Sequence, residues 1–152
     1  GVGLDLGNQI NTGEFSGEKL TSMQAICEEF LVQSKEHNGD YLSSTEIKKR
    51  FDLGLGALNI APEFGQIETG CYIEEMSPLQ LEEFYKICLS SGKWKKWVKK
   101  DFNPHKDKKK LVKICGHYVL SKPEFIKIKP EIDRKIINKV KERLRNMLGY
   151  EE

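Results

Sequence analysis

The chain has 152 residues, 38% of them hydrophobic, and its 25 basic and 23 acidic side chains leave a formal net charge of +2. That length and composition suit a single folded domain, residues 1–152, while the near-neutral balance argues against a chain-wide polyanion binder or an acidic tail. No apolar run approaches the roughly 20 residues that span a bilayer, and no stretch reads as a signal peptide.

Gly1 to Gly13 opens the chain with Val2, Leu4 and Leu6 alternating with Gly3, Asp5 and Gly7, which predicts a strand with its apolar residues on one side. A polar loop holding Asn8 and Gln9 follows. Ser16 can cap a helix whose apolar residues Leu20, Met23, Cys27, Phe30 and Leu31 recur at helical spacing, and Asn38-Gly39 is the expected stop. His37 then falls in the last turn, where a cation is favoured by the helix dipole. Ser43-Ser44-Thr45-Glu46 has the spacing of a capping box and predicts a short helix ending before Gly54.

The most informative stretch is Gly54-Leu55-Gly56-Ala57-Leu58-Asn59-Ile60-Ala61-Pro62-Glu63-Phe64-Gly65. In a strand, Leu58 and Ile60 share one face, and Ala57, Asn59 and Ala61 share the other. Pro62 ends the strand, Glu63 sits at its exit, and a helix is expected from about Gln66. Asn59 reads equally well as a turn-forming core residue and as a ligand contact. Glu63 can orient a ligand, join a metal site or favour the helix start electrostatically.

Two strands, each followed by a polar loop and a helix, are the grammar of parallel (β/α) units, and ligand sites in such folds lie beyond the carboxyl ends of the strands. That placement makes Asp5, Asn8, Gln9, Asn59 and Glu63 candidates for one rim. The fold expected is α/β, with βα units over residues 1–76 and a largely helical region over 77–152. A closed eight-stranded barrel takes roughly 250 residues, so the chain would hold part of one and is expected to be a piece of a longer polypeptide.

Ser77-Pro78-Leu79-Gln80 is a strong helix start, with Leu81, Phe84, Tyr85 and Cys88 as its stripe. Between Lys93 and Lys113 stand ten lysines, with Trp94 and Trp97 interleaved. Lysines with aromatics can bind phosphates and stack nucleotides, but these tryptophans also fit a packed face with the ammonium groups in water. Nucleic-acid binding is therefore the third-ranked reading. The run Ile114 to Ser121 fits helix end, strand or turn, and within it His117 is the histidine best placed for a functional role, beside the alternative of a buried hydrogen-bonded one. Pro130 introduces a long helix with Ile132, Ile136, Val140, Leu144 and Met147 in one stripe. Cys27, Cys71, Cys88 and Cys115 include no Cys-x-x-Cys pair and read as reduced thiols of a cytoplasmic protein, not as a disulfide framework or zinc site.

Trp94-Lys95-Lys96-Trp97, Gly116-His117-Tyr118-Val119-Leu120-Ser121 and the closing helix ending Arg145-Asn146-Met147-Leu148 resemble the so-called non-catalytic subunit of class II tagatose-bisphosphate aldolases, a TIM-type (β/α)8 barrel. The Asn59 strand is similar to the one with which class II aldolases hold their substrate. The resemblance implies the C-terminal portion of such a barrel, working in carbohydrate metabolism on a sugar phosphate or supporting a partner aldolase subunit or a second copy of itself. By that analogy Asn59 would contact substrate; the strand-end placement adds Asn8 and Gln9, and His117 joins them as a substrate contact, while Asp5 and Glu63 would line the pocket as carboxylates for proton transfer or metal coordination. Class II aldolases hold zinc with three histidines, an arrangement that His37, His105 and His117 do not reproduce, so no metal site is assigned within this chain and any divalent metal would be held by ligands outside it. A non-enzymatic subunit-interaction domain is the competing reading.

Overall fold

Helices account for most of residues 3–150, which a computed structural model describes, and the strands are only two residues long. The chain divides into two units: one holds the segment ending at Asp5, Gln9–Ala61 and the segment from Lys141, and the other holds Leu6–Asn8 and Pro62–Val140. The fold is thus mixed α/β with two small sheets and a helical C-terminal half.

In the first unit, β1 (Leu4–Asp5) pairs antiparallel with β2 (Ile10–Asn11), Leu4 opposite Asn11 and Asp5 opposite Ile10. The alternation of the opening segment predicts a strand paired side by side with the Asn59 strand. Its hydrogen-bond partner is instead the segment just downstream, because closing a short loop costs less entropy than a distant pairing. Gln9, at φ 56°, supplies the turn.

Ser16 caps α1 (Gly17–Glu29), its Oγ accepting from the Lys19 N–H at 3.3 Å. The helix expected to reach Asn38 stops at Glu29. Leu31 adopts the left-handed conformation (φ 54°), and its N–H donates to the Glu28 carbonyl while that of Val32 donates to Cys27. This crossed pair of bonds is the closing motif that glycine usually occupies. α2 (Ser44–Asp52) and α7 (Asp133–Leu148) end in the same pattern with Gly54 (φ 92°) and Gly149 (φ 74°) in that place. Leu31 is also 93% exposed.

The residues after Leu31 are extended rather than helical, and β3 (Lys35–Glu36) pairs parallel with β4 (Ala57–Leu58), Lys35 opposite Ala57 and Glu36 opposite Leu58. α2 is the connection between them, begun by the predicted capping box: the Ser43 Oγ accepts from the Glu46 N–H, and the Glu46 carboxylate accepts from the Ser43 N–H at 2.8 Å. That backbone donor holds the Glu46 carboxyl below the usual carboxylate range. Ile47 and Arg50 form the buried side of α2, and Met147 of α7 is buried in the same unit.

The second unit is a helical assembly. α3 (Pro62–Glu75) starts earlier than Gln66 because Pro62 suits a first helical position. α4 (Pro78–Ser91) carries the expected Ser77/Gln80 capping box, and a short 3-10 helix, Lys93–Trp97, follows the left-handed Gly92. α5 (Lys108–Cys115), capped by Asp107, buries Leu111, Val112, Ile114 and Cys115; a 3-10 turn, Gly116–Tyr118, and α6 (Pro123–Ile126) come next. Phe84, Phe125 and Tyr72 form the aromatic centre, with the Phe125 ring centroid 4.5 Å from Phe84 and 5.0 Å from Tyr72. Gly116 must be glycine, since an added Cβ would lie 2.9 Å from Phe84 and closer still to Thr69.

All four cysteines are free and buried. Among the described residues no helix is long and apolar enough to cross a membrane.

Leu31 combines backbone strain with an exposed side chain, so Leu31→Gly is expected to raise unfolding free energy by about 0.5–1 kcal/mol, less than the full left-handed cost because glycine also loses more entropy on folding. Urea denaturation measures this. A destabilised variant would show that the Leu31 side chain has a stabilising contact.

Candidate functional site

The carboxyl ends of β3 and β4 are where a parallel βαβ unit presents its loops. Past β3 come His37, Asn38, Gly39, Asp40 and Tyr41; past β4 come Asn59, Ile60 and Ala61. Backbone bonds hold the two loops together: the Asn59 N–H donates to the Glu36 carbonyl at 2.9 Å, and the Gly39 N–H donates to the Asn59 carbonyl at 2.9 Å. Gly39 permits this approach, because a side chain there would overlap Leu58.

Asp40 reinforces the closure. Its side chain is buried, 1% exposed, and its Oδ1 accepts from the Ala61 N–H at 3.1 Å, so a carboxylate of one loop fixes the backbone of the other. The Asn11 amide clips β2 to the same place, donating to the Asn38 carbonyl at 2.7 Å and the Asp40 carbonyl at 3.0 Å, while its own oxygen accepts from the Gly13 N–H. Asn38 (φ 58°) and Tyr41 (φ 62°) are both left-handed. Asparagine tolerates that conformation, whereas tyrosine adopts it at a cost of about 1–2 kcal/mol, a strain held by the surrounding bonds. On this rigid frame His37 and Asn59 are exposed. An imidazole and an amide each offer a donor and an acceptor, which suits hydroxyl groups of a ligand.

Of the residues expected to form a rim, Asn59 stands directly past the carboxyl end of β4. Asp5 is half-buried in the hairpin that Asn11 anchors, and Gln9 is exposed in its turn; all three belong to the first unit. Asn8, Glu63 and His117 belong to the second. Asn8 is exposed, and Glu63 is buried in the first turn of α3. His117 is half-buried, its ring 4.0 Å from that of Tyr118, and its Cβ lies where a side chain on Gly65 would collide. Also on α3, burial pushes the Glu68 carboxyl up, Lys129 opposing, and the Tyr72 phenol is pushed up to about 12, chiefly by burial and then by Glu68.

His37, Asp40 and Asn11 were not expected at a site. His37-Asn38-Gly39-Asp40 reads as a helix stop, and only the pairing of β3 with β4 turns it into a strand exit. Among the described residues no group of three or more His, Cys, Asp or Glu side chains is placed to hold a metal ion, so the donor set does not fit a three-histidine zinc centre. No protein-family model matches the chain, and neither does any curated protein or solved structure.

Proposed function

We propose that the chain is a segment of an aldolase-like α/β barrel that binds a sugar phosphate and supports a catalytic partner subunit. The observation that carries this reading is the parallel β3–α2–β4 unit, with exposed His37 and Asn59 past the ends of its two strands. Sugar recognition needs fixed donors and acceptors at hydroxyl spacing, and the Asp40–Ala61 and Asn11 bonds supply the fixed frame. The resemblance of the Trp94, Gly116 and Arg145 segments to tagatose-bisphosphate aldolase subunits, and of the Asn59 strand to class II aldolases, supports the substrate class. Because the donor set does not fit a zinc centre, the chain by itself acts as a binder and not as an aldolase.

Calorimetric titration with tagatose 1,6-bisphosphate, alongside inorganic phosphate as a control, tests this. Saturable binding between about 10 μM and 1 mM is expected, and Asn59→Ala should weaken it about tenfold, the worth of roughly one ligand hydrogen bond. Absence of binding at about ten times that range, or an unchanged affinity in Asn59→Ala, would contradict the reading.

A second reading, subunit interaction, is favoured by one feature. Met23 and Ile26 of α1 and its C-cap residue Phe30 recur at helical spacing and are exposed together with Leu31 and Val32. An exposed apolar stretch of that kind marks contact with protein. Sedimentation at increasing concentration should show self-association that Ile26→Glu with Phe30→Glu abolishes. A monomer throughout would remove this reading.

A further inference from the structure

The ten lysines between Lys93 and Lys113 face only Asp101 and Asp107 within their own stretch. Against a whole-chain charge of +2, the remainder of the protein is therefore net acidic, and positive charge is concentrated in this part. The fold gathers it further, because α5 packs against the 3-10 helix Lys93–Trp97. With about three residues per turn, that helix puts Trp94 and Trp97 on one edge and Lys93 and Lys96 on another.

The tryptophans are occupied. Trp94 donates its indole N–H to the Leu89 carbonyl and packs on Phe102, and Trp97 donates to the Tyr118 hydroxyl at 3.1 Å. Lys96 is set by its neighbours, its ammonium 4.9 Å from the Trp97 ring and 4.8 Å from the Tyr118 ring. Lys108 is engaged with Glu82 at 2.7 Å, while Lys93, Lys95, Lys96, Lys99 and Lys100 are all exposed. No large apolar side chain between Lys93 and Lys113 is exposed. A protein interface needs a desolvated apolar or aromatic centre, and membrane insertion needs an apolar face. The aromatic side chains here are half-buried and held by their own contacts, whereas a nucleic-acid backbone asks for positive charge, which the exposed lysines supply.

We propose that the Lys93–Trp97 helix and the Lys99–Lys100 segment that follows it form a sequence-independent binding surface for the phosphate backbone of a nucleic acid. Base stacking is not required, because both indoles are half-buried with their N–H groups bonded within the protein. Binding arises from ammonium–phosphate pairing with release of counterions, and it is steeply salt-dependent.

The test is fluorescence polarisation with a labelled duplex of about 20 base pairs and arbitrary sequence, titrated across a salt series. With four or five phosphates neutralised, the logarithmic slope against salt should be about −4. The variant Lys93→Gln, Lys96→Gln, Lys99→Gln, Lys100→Gln should lose at least about tenfold in affinity and most of that slope. Lys99→Gln with Lys100→Gln, which leaves the ring contacts of Lys96 intact, should lose an intermediate share. The matched control Lys19→Gln, Lys48→Gln, Lys49→Gln, Lys141→Gln removes equal charge elsewhere and should bind within about threefold of the parent, consistent with a local site. Three results would overturn the proposal: no binding at about 50 mM salt, a slope near zero, or equal losses in the variant and its control. Preference for vesicles of anionic lipid over the duplex would overturn it too, and would assign the surface to membranes.

Discussion

A buried guanidinium holds strand and crossover helix together in the first unit, and the arrangement of the rim follows from it. The Arg50 Nε lies 3.0 Å from the Glu36 carboxylate, its Nη1 donates to the Glu46 carbonyl at 2.9 Å, and the Phe15 ring lies 4.4 Å from its Cζ. Glu36 is in β3 and Arg50 in α2, so one ion pair fixes the strand against the helix that leads to its partner. Strands two residues long contribute few ladder bonds, and alone they would not set a register. A paired charge in a nearly closed site is costly to separate, about 3–5 kcal/mol when one partner is removed, with the lower end suited to a carboxylate that keeps some solvent. Once Glu36 is placed, its carbonyl accepts from Asn59, and the Gly39 and Asp40 bonds close the loops around that contact.

What the sequence disclosed and what it hid follow from the range of the forces involved. Ser43 with Glu46 and Ser77 with Gln80 satisfy the first N–H groups of their own helices, so those starts were readable from neighbouring residues. The Asn59 segment reads as a strand because Pro62 must end it and glycines flank it, yet the strand formed is only Ala57–Leu58. β3 was not readable. Its two residues lie inside a stretch whose apolar spacing suits one helix from Ser16 to Asn38, and the break depends on Leu31 taking a conformation that leucine rarely adopts. The pairing of Lys35 with Ala57 is a tertiary event that no local pattern records. The same holds for the site: the sequence reads Asn59 as a residue within the strand and Glu63 as its exit, whereas the strand ends at Leu58 and leaves Asn59 past it, and Asp40 and Asn11 act through bonds to distant backbone.

The second unit shows how one residue type serves two ends. Trp94 and Trp97 look like stacking platforms when read as a string with lysines, yet their indole N–H groups are bonded to Leu89 and Tyr118. With both indoles half-buried, the exposed side chains of the Lys93–Trp97 helix are its lysines. The net charge of +2 conceals this segregation, because a sum over the chain says nothing about where its members stand.

The rim depends on the parallel register of β3 and β4. Scalar coupling through hydrogen bonds, measured by NMR between amide nitrogen and carbonyl carbon, reads it bond by bond. The account predicts couplings from Asn59 N to Glu36 C′, from Ala57 N to Ser34 C′ and from Gly39 N to Asn59 C′. Close Hα–Hα contacts between residues 35–36 and 57–58, which mark an antiparallel pair, or loss of all three couplings in a folded protein, would contradict it.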